Sequence, residues 1–221
     1  MAGRENGPGK RRFREDIGME EKMDMHDLAR VNQLWGKVYP YLADQILSYY
    51  ARGQGDVLEW GPFSGGISLA LRDKKPALKT AIAVEDEDVF ALMQRMLSGS
   101  KEGHDIRLEK SPLVPLCYDD HAFDLVVIRG AYFFLDREGK ALQEIYRVMK
   151  TGGVGFIGGG YGENIPRALI DEIAEESRIL NDRLGRIRVT VEDLRAMVGK
   201  AGLQDRIRII LDGGLWLLLE K

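Results

Sequence analysis

A change of hydrophobic period near residue 56 constrains this chain more than any other feature. Up to Tyr50, apolar residues recur every three or four positions: Met25, Leu28, Val31, Trp35 and Val38, then, after the interruption at Pro40, Leu42, Ile46, Leu47 and Tyr50. That spacing gives helices with one apolar face. Gly53 and Gly55 stop the pattern. Beyond them, short apolar runs alternate with amphipathic stretches. Asp56-Val-Leu-Glu-Trp60, Thr80-Ala-Ile-Ala-Val84, Ile106–Leu108, Asp124-Leu-Val-Val-Ile128 and Val154–Ile157 read as strands. Ile67–Arg72, Val89–Leu97, Glu138–Met149 and Pro166–Leu184 read as helices. A further helix opens at Thr190-Val-Glu-Asp193, where a hydroxyl is followed three positions on by an acid, the signature of reciprocal capping, and stops at Gly202. Gly152-Gly153 is expected to end the helix before it. Arg206–Leu211 and Leu215–Leu219, joined by Asp212-Gly213-Gly214, form a closing hairpin.

Strands alternating with helices call for a parallel sheet covered on both faces, because each crossover lays a helix against the sheet. The expected class is therefore α/β, a doubly wound, mostly parallel sheet with a C-terminal antiparallel hairpin and an N-terminal helical cap. The divisions are a flexible basic tail over 1–18, the cap over 19–55 and the main domain over 56–221.

Composition narrows the function classes. The single cysteine, Cys117, forbids an intramolecular disulfide and a cysteine-built zinc site, and it reads as a small buried hydrophobe. A net charge of -3 gives no general attraction to nucleic acid. In the tail, Arg4, Lys10, Arg11, Arg12 and Arg14 face only Glu5 over the first fourteen residues. Such an arm could touch RNA or another anionic surface, or be a solvated tail. No secretory apolar region opens the chain, and the longest apolar runs are too short to span a bilayer, so a cytoplasmic protein is expected. Glycine is in surplus, 26 of 221 residues, with only 7 prolines and no three-residue period, which excludes collagen. Seven of the glycines crowd between Gly152 and Gly162. Gly158, Gly159, Gly160 and Gly162 are expected to leave the fifth strand at an open rim where an acceptor enters.

In a doubly wound sheet, ligands bind beyond the carboxyl ends of the strands, where strand order reverses. Four loops leave strand ends with notable residues. Leu58-Glu-Trp-Gly-Pro-Phe-Ser-Gly-Gly66 can bring main chain close to a ligand, or be a plain strand-helix turn. Val84-Glu-Asp-Glu-Asp88 can accept ribose hydroxyls, or simply favour the start of the next helix. Glu85 lies 24 residues past Gly61, the separation suited to a nucleoside gripped at both ends. The other two loops are Ser111–Arg129 and Arg147–Gly153.

In order along the chain, these motifs resemble the class I S-adenosylmethionine-dependent methyltransferases of the small-molecule branch, the quinone and biotin type. The residues carrying the resemblance are Val57-Leu-Glu-Trp-Gly61 with Gly65, Ala83-Val-Glu85, Leu116–Val127, Leu142-Gln-Glu-Ile-Tyr-Arg-Val-Met-Lys-Thr-Gly-Gly153, Ala201-Gly-Leu203 and Gly214–Lys221. Thr151 stands where proline is usual. The resemblance implies a Rossmann-like seven-stranded sheet with its last strand antiparallel, S-adenosylmethionine as cofactor, S-adenosylhomocysteine as product, and a small-molecule methyl acceptor. It implies a cofactor site built from Glu59, Gly61, Phe63, Ser64, Gly65, Glu85, Asp86, Ser111, Pro112, Leu113 and Arg129. Glu59 would position the amino group, Glu85 the ribose, and Gly61 and Gly65 the methionine part. Phe63 stands where the family has glycine, so its side chain is expected to point away from the cofactor or reshape the loop. Ser111, Pro112 and Leu113 stand where an acid often meets adenine. Tyr132, Tyr161, Glu163, His26 and Tyr39 would face the acceptor, with Glu163 and His26 each either a base or an ordinary surface or cap residue. No catalytic residue and no metal ligand is assigned.

Two rival readings remain at this level. One is a nicotinamide oxidoreductase, disfavoured because Gly61-Pro-Phe-Ser-Gly-Gly66 is not G-x-G-x-x-G. The other is a cofactor-binding protein without transferase activity.

Overall fold

The computed structural model describes residues 23–221; the basic tail and the first residues of the cap lie outside the described residues. Seven strands form one sheet: β1 (Gly55–Trp60), β2 (Leu78–Val84), β3 (Arg107–Lys110), β4 (Phe123–Arg129), β5 (Met149–Gly160), β6 (Ile207–Ile210) and β7 (Gly214–Glu220). Their order is β3-β2-β1-β4-β5-β7-β6. The chain runs outward from β1 to β3, then returns to place β4 beside β1, so strand order reverses between those two. β1 to β5 are parallel, and β7 is antiparallel to both β5 and β6.

Side chains alternate between two packed layers. Val57, Leu125, Val127 and Phe156 meet one layer of helices: α1 (Met25–Leu34), α2 (Tyr39–Tyr49), α3 (Gly66–Lys74), α4 (Glu87–Ser98) and α6 (Arg167–Arg183). Leu58, Trp60, Val126, Ile128 and Leu217 meet α5 (Lys140–Val148) and α7 (Val191–Ala201). The near-continuous apolar character of β1, β2 and β4 follows from burial on both faces. α1 and α2 form the cap, and Pro40 sits in the first turn of α2, where its missing N–H costs nothing. α7 carries the expected capping box between Thr190 and Asp193. No helix among the described residues is long and apolar enough to cross a membrane.

Three expectations are corrected. α5 ends at Val148, and Gly152 lies within β5 instead, at φ 74°, its N–H donating to the Lys221 carbonyl at 2.6 Å. Pairing with β4 shifts register there, which absorbs the extra residues. The glycines after Ile157 do not form an open rim. They continue β5 against β7, Gly158 opposite Trp216 and Gly160 opposite Gly214. A Cβ on Gly158 would stand 2.3 Å from the Leu215 carbonyl oxygen, and one on Gly160 2.2 Å from that of Gly213. Their composition serves close backbone approach, not mobility. Cys117 is exposed, not buried, because its loop runs over the surface with the Cys117 amide bonded to Ser111 Oγ.

Candidate active site

The loop after β1 is built on Glu59, which is 1% exposed. Its Oε2 accepts the Gly65 and Ser68 amides, both at 2.9 Å, which fixes the turn and the start of α3. Its Oε1 has no hydrogen-bond partner. Burial pushes the Glu59 carboxyl up, and the Gly65 and Ser68 amides oppose that shift. Gly61 takes φ 108° and Gly65 φ 97°, conformations that cost a side-chain-bearing residue strain. Ser64 is buried, and its Oγ is without a partner. Phe63 points away from the strand ends into the layer beneath the cap. It packs on Phe133 at 4.9 Å between ring centroids and against Gly130, whose hypothetical Cβ would lie 2.5 Å from the Phe63 ring. The residue that replaces the expected glycine is thus a wedge held by a glycine elsewhere.

A cavity of about 400 Å³ opens beside this loop, at the carboxyl ends of β1, β2, β3 and β4. Trp60 and Glu85 line it, together with Pro112, Leu113 and Val114 after β3 and Phe133, Phe134 and Leu135 after β4. Asp136, Arg137 and Lys140 at the start of α5, and Ile187 beyond α6, complete it. Trp60 donates its indole N–H to the Ser111 carbonyl at 3.0 Å and meets Phe134 edge-on at 5.2 Å. Glu85 is exposed at the cavity.

Other expected residues have different surroundings. Asp86 caps α4, its Oδ1 accepting the Asp88 and Val89 amides at 2.8 and 3.0 Å. Ser111 is buried, and its hydroxyl is spent within its own loop on Pro112 O and the Cys117 amide. Tyr132 turns toward β7 and donates to the Leu215 carbonyl; burial pushes its phenol pKa up. Tyr161 stacks on Trp35 at 4.9 Å and 12°, and burial raises its pKa too. Glu163 and His26 are exposed and do not line the cavity. Tyr39 is buried under the cap, where its hydroxyl donates to Asn32 O at 3.3 Å and accepts from Arg129 at 3.0 Å. Burial pushes its pKa up to about 12, although Arg129 lies close. Arg129 itself ends β4 beneath the cap and is 5% exposed.

The sequence gives less warning of Trp60, Phe134, Arg137, Lys140 and Ile187 as cavity residues. Trp60 could be found from strand parity, since it precedes Gly61 on the face opposite Glu59. Arg137 and Lys140 follow the β4 end in the same way. Asn32, one polar residue on an amphipathic helix, carries no such signal.

α1 is joined to α6 by Trp35 Nε1 donating to Ser177 Oγ at 2.8 Å and by the ion pair Arg30–Glu176 at 2.6 Å. Asp27 pairs with Arg183 at 2.7 Å. The cap and α6 are therefore tied together, and Asn32 Nδ2 joins the cap to the loop after β1 by donating to Pro62 O at 3.1 Å.

Residues 58–157 match the family described as "Methyltransferase domain". No curated protein matches the sequence. Among solved structures, the fold is similar to a candidate S-adenosyl-L-methionine-dependent methyltransferase from Methanococcus maripaludis, with TM-score 0.76, 24% identity, and 92% of this chain and 97% of that one covered. It is also similar to PigF solved with SAH, at TM-score 0.64 and 17% identity, covering 94% and 65%. A SAM-dependent methyltransferase from Aquifex aeolicus matches at TM-score 0.59 and 16% identity, covering 90% and 100%. The matched residues run from Leu58 in β1 to Ile157 in β5 and include β1 to β4, whose ends build the cavity, and the seven-stranded sheet has the fold of these S-adenosylmethionine-dependent methyltransferases.

Proposed function

We propose that the methyl acceptor is a small molecule, that transfer is a single displacement, and that the cavity receives the adenosyl half of the cofactor. One observation carries the reading: Glu85, the loop after β3 and the loop after β4 converge on one cavity at the point where strand order reverses. Glu85 offers an exposed carboxylate that can accept two ribose hydroxyls. Trp60, Leu113, Phe133 and Phe134 supply apolar surface for a base and exclude water from it. Glu59 offers a buried oxygen with no partner, which suits an ammonium group at the cofactor's amino-acid end.

The bound cofactor supplies an electrophilic methyl group. The protein then needs chiefly to hold the acceptor in line, and alignment of that kind can contribute up to about 7–11 kcal/mol. No side chain of the cavity is required as a base. The reading also takes residues 1–18 as a tail, 19–55 as a cap and 56–221 as the catalytic domain, working in the cytoplasm.

Calorimetric titration with S-adenosylhomocysteine tests the assignment. Binding is expected, and Glu85→Ala should weaken it by about 1.5–3 kcal/mol, the range for hydrogen bonds to a charged group. Because Glu85 is exposed, the lower end applies, about tenfold in Kd. Unchanged affinity would remove Glu85 from the ribose site.

A further inference from the structure

The adenosyl half of the cofactor leaves one part of the cavity without a task. Its base and ribose carry no charge, and the cofactor's only anion, the amino-acid carboxylate, goes with the loop after β1, whose residues 61–66 do not line the cavity. Yet the cavity wall changes sign along the sheet. Glu85 stands at the end of β2, Trp60 at the end of β1, and beyond the end of β4 the turn into α5 brings Arg137 and Lys140. Both cations are exposed. The carboxylates around them are already engaged. Asp136 accepts the Lys140 and Ala141 amides at 3.1 and 2.8 Å, Glu138 pairs with Lys200, and Asp193 accepts the Thr190 amide at 2.9 Å. The Thr190 amide and hydroxyl, with a smaller contribution from Arg137, hold the Asp193 carboxyl below its ordinary value. Among the described residues, the Lys140 ammonium has no hydrogen-bond or ion-pair partner. A second element crosses here. Residues 185–189 lead from α6, which packs with the cap through Ile173 and Leu180, to α7 in the opposite layer, and Ile187 reaches the cavity on the way. Arg186 beside it pairs with Asp182 at 2.8 Å, while Arg188 is exposed and has no partner among the described residues.

Cations gathered at the mouth of a cleft with apolar walls concentrate the field and attract an anion. Ammonium and guanidinium groups both bind carboxylate and phosphate oxygens through charge-assisted hydrogen bonds. We propose that the methyl acceptor is an anion on an apolar body: Arg137 and Lys140 hold its carboxylate or phosphate, and its body lies against Phe134 and Leu135. This inference rests on the methyltransferase reading and names the acceptor class for the same site. The Glu85 carboxylate repels such a group, so the anion settles on the α5 side and the acceptor binds in one orientation. Arg137 and Lys140 set specificity and take no part in the transfer itself.

Fluorescence titration of the full chain, saturated with S-adenosylhomocysteine, tests this with two dyes built on the same rings: anilinonaphthalene sulfonate, an anion, and phenylnaphthylamine, its neutral counterpart. The anionic dye should bind about tenfold more tightly. Arg137→Gln with Lys140→Gln should abolish that preference and leave the neutral dye, S-adenosylhomocysteine affinity and Tm unchanged. Lys75→Gln with Lys79→Gln removes the same charge from exposed positions at the amino end of β2 and should keep the preference. Benzoate and phenyl phosphate should displace the anionic dye, the stronger competitor identifying the anion, and phenol should not. Equal affinity for the two dyes in the wild type, a preference that survives Arg137→Gln with Lys140→Gln, an equal loss in the control pair, or displacement as readily by phenol as by either anion overturns the proposal alone. A wild-type protein that does not bind S-adenosylhomocysteine overturns the cofactor reading and this proposal with it.

Discussion

Gly130→Ala probes the wedge that sets the shape of the loop after β1. Gly130 lies at φ 68°, so alanine would adopt the left-handed region at about 1–2 kcal/mol. Its Cβ would stand 2.5 and 2.9 Å from Cδ2 and Cε2 of Phe63, distances that a ring held on Phe133 and under Arg129 must relieve by moving. Overpacking of this sort costs about 1–3 kcal/mol. The sum is about 2–5 kcal/mol in the wild-type background. In a Phe63→Ala background the clash has no partner and only the backbone cost remains, about 1–2 kcal/mol. Phe63→Ala itself should cost about 3–5 kcal/mol, because a fully buried ring is deleted. The four proteins of this cycle are compared by urea unfolding at constant m, and a coupling of about 1–3 kcal/mol is expected. If Gly130→Ala costs the same in both backgrounds, Phe63 does not press on Gly130 and the account of the loop is wrong.

Two further predictions concern stability. Partial burial raises the Asp124 carboxyl, but Lys150 at 2.8 Å, the Asp56 amide and Arg52 outweigh it and hold its pKa below the usual 3.8. A lowered folded pKa contributes stability that is present above pH 3.8 and lost as pH falls through the folded value. Acid titration of unfolding free energy should therefore fall more steeply below that pH for wild type than for Asp124→Asn, and parallel curves would refute it. Thr190→Ala removes one half of the α7 capping box and should cost about 1 kcal/mol in urea unfolding; an unchanged midpoint would mean the first turn is held by packing alone.

Much of the fold is legible because strands buried on both faces and helices buried on one leave different periods. Trp60 and Val84 end their strands where the apolar runs end, and Thr190 announces α7 through its own side chain. What cannot be read are features that depend on a distant segment. Gly158 and Gly160 are glycine because β7, more than fifty residues later, passes within contact of their Cα atoms. A glycine cluster by itself looks the same whether it bends freely or packs tightly. The acidic run after β2 shows the same limit within four residues: Glu85 reaches the cavity while Asp86 caps α4, and only the path of the backbone separates them. Phe63 is identifiable as a departure from glycine, but the compensating Gly130 is not, since nothing local marks the pair. Arg129 ends an apolar strand in the sequence; that its partners come from the cap depends on how α1 and α2 fold back.

Trp60 has a consequence for measurement. Its indole is pinned at the N–H by the Ser111 carbonyl, across β2, and at the ring by Phe134, so this wall of the cavity is ordered before anything enters. A ligand stacked there is spared the immobilisation of a loose side chain, about 0.5–1.5 kcal/mol. The same rigidity makes Trp60 a built-in optical reporter. Of the three tryptophans, Trp35 lies in the cap and Trp216 is sealed against Phe156, which leaves Trp60 as the one whose emission senses the cavity itself. A single-tryptophan version retaining Trp60 would time the arrival of a nucleoside, while one retaining Trp35 would time the response of the cap, and the order of the two signals would show which event comes first.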